Sequence, residues 1–169
     1  MAEVLLKMKN IHKYFAGVHA LDDVSFTVNS GEVHALIGEN VAGKSTLMKI
    51  LNGIHQRDGG SIFYRGKETE INSPQEAQAL GITMIHQELN LIPHLTVAQN
   101  IFIGREPEKG IFLDEKKSNK MAEELLDSLN IEINPTARVN GLSIAKQQMV
   151  EIAKALSFED SSLLIMDEP

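Results

Sequence analysis

The sequence predicts an α/β fold in three parts. An antiparallel β portion lies near the start, a phosphate-cradling strand–loop–helix unit opens an α/β core, and a helical tract is inserted before that core resumes. Three observations carry this. Gly38-Glu39-Asn40-Val41-Ala42-Gly43-Lys44-Ser45 is a G-x-x-x-x-G-K-S run between a strand-like stretch, Val33–Ile37, and a helix-like stretch, Leu47–Leu51. Short apolar or alternating runs around it read as strands, whereas residues 97–158 carry helical periodicity. Four apolar residues, Leu163–Met166, run into Asp167-Glu168 at the end.

In chain order, Val4–Met8 is a short strand, and residues 10–20 are expected to form a loop carrying Tyr14, Phe15 and Gly17. Val24–Val28 alternates with period two, as a half-buried strand does. Asn29-Ser30-Gly31 is a tight turn, predicting a hairpin between Val24–Val28 and Val33–Ile37. Residues 56–60 form a loop with a Gly59-Gly60 breaker, followed by the strand Ser61–Tyr64, closed by Arg65-Gly66. Ser73-Pro74 is an N-cap followed by a first-turn proline, and Gly81 ends that helix. Ile82–Ile85 is a buried strand. Thr96 caps a short helix, and residues 104–110 are a polar loop. Asp114 caps a longer helix to about Leu129, with Met121, Leu125 and Leu129 on one face. Residues 131–141 are irregular. Ser143 caps a helix whose apolar face is Met149, Ile152, Ala153 and Leu156, and Leu163–Met166 is a buried apolar strand.

Composition narrows the function. The chain has 169 residues, enough for one domain, and 43% are hydrophobic, so a sizeable core is within reach. Its formal net charge of −7 argues against a general nucleic-acid binder, whose footprint is basic. With no cysteine there is no disulfide or thiolate chemistry, and no apolar run approaches membrane-spanning length. A cytoplasmic domain is expected.

The chemistry concentrates at two places. An anion needs converging donors. A glycine-rich turn lets successive backbone N–H groups face one point, and the helix behind adds its positive end. Lys44 is expected to reach the β- and γ-phosphates, and the Ser45 hydroxyl to bind Mg²⁺. Val41 stands where most such loops carry glycine. A β-branched side chain at a position needing φ > 0 costs about 1–3 kcal/mol. Asp167, at the carboxyl end of a strand, is expected to hold Mg²⁺ directly or through water, and Glu168 to polarise an attacking water.

These motifs, with Ile85–Pro93, Asn100–Glu106, Leu142-Ser143, Gln147–Lys154 and Leu163–Pro169, resemble in content and order the nucleotide-binding subunit of an ABC transporter. More closely they resemble the ATPases of bacterial importers for monosaccharides such as ribose or galactose. The resemblance covers nearly the whole chain. It implies an ABC-type P-loop NTPase fold: an antiparallel β subdomain, a partial RecA-like α/β core and an inserted helical subdomain. The expected organisation is one incomplete ABC ATPase domain, with residues 1–96 forming the β subdomain and P-loop core, 97–158 the helical subdomain and 159–169 the Walker B strand. The family continues past Glu168 with a switch histidine and further core strands, so the chain is expected to be a fragment with weak or no hydrolysis.

The resemblance also implies roles. ATP would be bound by Gly38, Glu39, Asn40, Val41, Ala42, Gly43, Lys44, Ser45 and Thr46. Phe15 would stack on adenine, with Tyr14 as the alternative. Gln87 would touch Mg²⁺ and the attacking water and couple the site to the permease, although by itself an amide here could be an ordinary loop residue. Mg²⁺ would be held by Ser45, Gln87 and, through water, Asp167. The catalytic pair would be Glu168 and Gln87. Ser143 occupies the place of the signature-motif serine, which binds ATP held by a partner subunit. Ile144, Ala145 and Lys146 replace the usual Gly-Gly-Gln there, so close backbone approach to a phosphate is harder. Lys146 would either supply charge or be a solvated helix residue. His86 is read as packed rather than metal-bound.

The implied partners are transmembrane permease subunits, a second nucleotide-binding domain (dimer or tandem copy) and, indirectly, an extracellular sugar-binding protein, with no nucleic acid. The implied location is the inner face of the cell membrane, and the implied function is ATP hydrolysis powering import of a monosaccharide. The alternatives are a soluble non-transport ABC ATPase and a nucleotide-binding fragment with little or no hydrolysis.

Overall fold

The computed structural model describes residues 3–38, 43–85, 89–110, 112–158 and 160–167. It falls into two compact units, Met1–Leu80 and Gly81–Pro169.

In the first unit, β1 (Val4–Phe15), β2 (Val18–Asn29), β3 (Gly59–Tyr64) and β4 (Lys67–Glu68) form an antiparallel sheet in the order β2-β1-β3-β4. Leu6 and Met8 alternate into the core with Ile11, Ile62 and Tyr64, as period-two strands require. The loop expected over residues 10–20 is instead the tip of a long hairpin. Tyr14 pairs with His19 and Phe15 with Val18. Aromatic and β-branched residues favour the pleated surface, and Gly17 at φ +88° closes the two-residue turn.

The hairpin is irregular. From Ile11 to Tyr14, β1 advances three residues while β2 runs five, from Val24 to His19. This is the signature of bulges, and Asn10 (φ +51°) and Asp23 (φ +53°) take left-handed conformations beside it. The Gly59-Gly60 pair lies inside β3 rather than breaking it. Gly60, at φ +88°, faces Asn10 so closely that a Cβ would sit 2.3 Å from the Asn10 carbonyl oxygen. Glycine is needed there to let two backbones meet.

The turn after β2 forms as expected, but no hairpin follows. Glu32 accepts hydrogen bonds from the Asn29 N–H and Nδ2 at 2.8 Å and from His34 Nδ1 at 2.9 Å. The His34 bond is the largest influence holding the Glu32 carboxyl below its usual range. Residues 32–38 then run without regular structure, and Val33 is 100% and Ile37 95% exposed. β2 is already paired with β1, and no described strand runs beside residues 33–37 to complete a ladder.

Beyond the described gap, α1 (Gly43–Leu51) buries Thr46, Leu47, Ile50 and Leu51. In α2 (Pro74–Ala79), the Ser73 side chain accepts from the Glu76 N–H, the expected cap.

In the second unit, β5 (Ile82–Ile85) lies parallel to β8 (Leu163–Met166), from Ile82 opposite Leu163 to Ile85 opposite Met166. The strand β8 is apolar but only partly buried. Ile165 is inside, Leu163 and Leu164 are half-buried, and Met166 is exposed, because only one neighbouring strand is described.

Three helices pack around one core: α3 (Val97–Ile101), α4 (Glu115–Ser128) and α5 (Ile144–Leu156). The core comprises Val97, Ala98, Ile101, Phe102, Ala122, Leu126, Val139, Val150 and Ala153. Thr96 and Gln99 form a capping box on α3, and Asp114 caps α4. The buried lines sit beside the expected faces. On α4 they are Ser118, Ala122 and Leu126, with Met121, Leu125 and Leu129 packed around the rim. On α5 they are Val150, Ala153 and Ala155, while Met149 is exposed. Ala122 and Ala153 are fully buried members of that core. Within the polar segment expected as a loop, β6 (Glu108–Lys109) pairs with β7 (Phe112–Leu113). No helix among the described residues is long and apolar enough to cross a membrane.

Candidate functional site

The candidate phosphate site lies at the start of α1. Gly43 begins the helix against β2, where an added Cβ would lie 3.5 Å from the Ala20 carbonyl and 3.7 Å from the Leu21 side chain. This contact seats the helix N-terminus on the sheet. Lys44 reaches back along the loop, and its Nζ donates to the Gly38 carbonyl. The amino group thus spans the loop from its last glycine region to its first. Ser45 is half-buried and Thr46 is buried. Glu39, Asn40, Val41 and Ala42 lie outside the described residues.

Phe15 sits at the end of β1, with 38% of its surface exposed. Its ring meets His55 edge-on at 5.2 Å, and Lys13 Nζ lies 5.3 Å from its centroid. Tyr14 is one strand position away and stacks on His19 at 4.0 Å. Period-two geometry therefore turns the two aromatics to opposite faces. Asp58 fixes this strand end, a role that no pattern in the sequence signalled. It accepts from the Tyr14 backbone N–H at 2.7 Å and from Lys13 Nζ at 3.0 Å. The Tyr14 bond comes first among the causes that lower its carboxyl pKa.

In the second unit, Asp167 follows β8 and donates its backbone N–H to the Ile85 carbonyl at 3.1 Å. The carboxyl ends of two parallel strands are thereby aligned, the place where open α/β sheets bind ligands. His86, Gln87 and Glu168 lie outside the described residues.

Ser143 is the N-cap of α5, and its hydroxyl accepts the Lys146 N–H at 3.4 Å. Lys146 extends its Nζ towards the Glu132 carbonyl at 3.4 Å, so the reading of a surface helix residue fits better than that of a phosphate ligand. Gln147 Nε2 donates to the Leu142 carbonyl at 3.0 Å and to the Val139 carbonyl at 3.3 Å, tying the helix start to the preceding turn.

Sequence reasoning also missed how the segment after Gln87 is held. Glu151 accepts the Asn90 N–H at 2.6 Å, and Lys154 Nζ donates to the Asn90 carbonyl at 3.2 Å. Buried Asn100 closes the same segment. Its Oδ1 accepts the Ile92 N–H at 2.7 Å, and its Nδ2 donates to the carbonyls of Ile92 and Thr96. Arg105 bonds Ser157 Oγ at 2.7 Å and stacks over Phe158 at 3.5 Å, joining the ends of α3 and α5. Burial lowers its pKa, and nearby Glu106 opposes this. These polar residues give no periodic signal, because each bonds non-periodic partners: Glu151 and Lys154 hold a backbone segment more than 60 residues away, and Asn100 closes a local turn.

The donors at the start of α1 suit the group they are expected to hold: an ammonium, a hydroxyl and a helix N-terminus match a phosphate chain, and a hydroxyl oxygen is a fitting ligand for Mg²⁺.

The ABC transporter family matches residues 21–169. A ribose/galactose/methyl galactoside import ATP-binding protein of Burkholderia ambifaria is 58% identical over 167 residues, covering 98% of this chain and 32% of that protein. One from Agrobacterium fabrum is 54% identical over 166 residues, covering 98% and 33%. The chain thus spans about a third of the length of the curated relatives it matches. A nucleotide-free ATP-binding cassette from an ABC transporter superposes with a TM-score of 0.82 at 30% identity, covering 97% of this chain and 68% of that one. A cassette in its ADP conformation gives 0.78 at 31%, covering 92% and 65%. With a family match over most of its length, and with this fold, the chain belongs to the ABC transporter family.

Proposed function

We propose that this chain binds and hydrolyses ATP to power import of a monosaccharide through an ABC permease, at the inner face of the cell membrane. The observation that carries it is Lys44 Nζ resting on the Gly38 carbonyl across the start of α1. The relatives' names supply the sugar class.

In this reading Lys44 exchanges the Gly38 carbonyl for β- and γ-phosphate oxygens, and Phe15 carries the adenine. Ser45, Gln87 and, through water, Asp167 would hold Mg²⁺, which would neutralise charge on the phosphates. Glu168 and Gln87 orient and polarise the attacking water, so that Lys44 offsets charge developing in the transition state. Ser143, at the N-terminus of α5, faces the nucleotide of a second nucleotide-binding domain. Residues 97–158, with the segment at Asn90 clamped to α5, form the helical subdomain that docks on the permease. An extracellular sugar-binding protein acts through that permease.

Calorimetry with ATP and Mg²⁺ tests the site. Lys44→Ala should weaken binding by more than about tenfold, and Val41→Gly should tighten it by about tenfold, or 1.4 kcal/mol. Equal affinities for the native chain and Lys44→Ala would overturn the assignment. Uptake of labelled ribose and galactose in a Lys44→Ala strain tests the sugar class.

A further inference from the structure

We propose that the surface of the β1–β2 hairpin carries a three-ligand site for a borderline divalent transition metal, Zn²⁺ foremost, formed by His12, His19 and Asp22. The ligand atoms of these three residues all lie within 4.8 Å of one another. His12 Nδ1 is 3.5 Å and His19 Nε2 is 3.6 Å from the same atom, Asp22 Oδ1. With Zn–N and Zn–O bonds near 2.0–2.2 Å, donors in a tetrahedral shell stand about 3.3–3.5 Å apart. Two of the three edges are therefore already close to a metal's requirement.

The fold supplies this arrangement against the ordinary strand rule. Residues 19 and 22 are an odd number apart, so a regular strand would turn them to opposite faces. The extra residues of β2 between Val24 and His19 change that parity. Asp22 then joins His19 and His12 on one side.

The rings are also held. Tyr14 stacks on His19 with an interplanar angle of 14°, and the His12 and His19 rings stack on each other at 5.7 Å. The Asp23 backbone N–H points at His12 Nδ1 from 3.4 Å, which keeps that nitrogen as the lone-pair nitrogen. A metal would displace this long contact and take the lone pair.

Donor chemistry sets the class of ion. Two imidazoles and one carboxylate suit Zn²⁺, Co²⁺, Ni²⁺ or Cu²⁺, whereas Mg²⁺ and Ca²⁺ prefer all-oxygen shells. The Asp22 side chain is 72% exposed and each histidine 31%. A fourth position is thus left open to water, as in exchangeable rather than closed structural sites. The three ligands are distinct from the residues of the candidate phosphate site. Bound metal would pin β1 to β2 next to Phe15.

The test uses the full chain, stripped with chelator and then titrated with Zn²⁺ and, for its visible spectrum, Co²⁺. One equivalent should bind in the presence of excess Mg²⁺. Imidazole ¹⁵N spectra should show His12 ligated through Nδ1 and His19 through Nε2. The His12→Ala/His19→Ala variant should lose more affinity than the roughly 10–100-fold that an outer-shell partner is worth. Asp22→Asn, a near-isosteric change at an exposed site, should also weaken binding, and His34→Ala/His94→Ala should retain it. Absence of saturable Zn²⁺ binding, unchanged affinity in the His12/His19 variant, or ligation through other nitrogens would overturn the proposal.

Discussion

Leu163–Met166 lies along β5 with all four positions paired, whereas Val33–Ile37, apolar at four of its five positions, is mostly exposed and without a ladder among the described residues. The two runs differ chiefly in their surroundings. Ser162 and Leu163 donate their N–H groups to the Gly81 carbonyl, so β8 is set in register at its first residue. Residues 33–37 are held at their start, where Glu32 bonds Asn29 and His34. A strand is stabilised by neighbours that complete its hydrogen bonds and cover its side chains, and these cannot be supplied locally. Helices satisfy their own backbones, and α3, α4 and α5 all form where their caps and periodicity place them.

The contrast can be broken at three points. The largest effect is expected at Ile165, 5% exposed in β8. Ile165→Ala should destabilise the second unit by about 2–4 kcal/mol in urea unfolding. A loss below about 1 kcal/mol would mean that β8 is not held by burial. Next, Thr96→Ala removes one half of the capping box on α3 and should lower stability by about 1 kcal/mol. Reduced amide-exchange protection confined to the α3 region would support this local reading, and protection lost evenly across the chain would count against it. The smallest effect is expected at Ile37. Ile37→Ser should change stability by less than about 0.5 kcal/mol, because there is no burial to lose. A cost above about 1 kcal/mol would show that residues 33–37 are covered in solution and would erase the contrast with β8.

Much of the candidate site was legible. Gly38, Gly43, Lys44 and Ser45 are recognisable because a phosphate cradle demands those residue types at that spacing. Asp167 is recognisable because it ends an apolar run. The hairpin tip was misread because Gly17 and the polar residues around Tyr14 resemble a loop until Tyr14 and Phe15 meet His19 and Val18 across the turn. Asp58, Glu151 and Lys154 were invisible because their partners are backbone groups tens of residues away, and Asn100 because it binds the backbone of an irregular turn that carries no pattern.

By itself, the sequence determined what depends on neighbours along the chain: the Ser73, Thr96, Asp114 and Ser143 caps and the helices behind them. These arise from hydrogen bonds and side-chain spacing within a few residues. Only the tertiary structure decided which apolar runs became paired strands, which side of each helix lay innermost, and that bulges in β2 bring Asp22 to the same side as His12 and His19. Pairing partner, packing distance and strand parity are properties of two segments together, so neither segment can encode them alone.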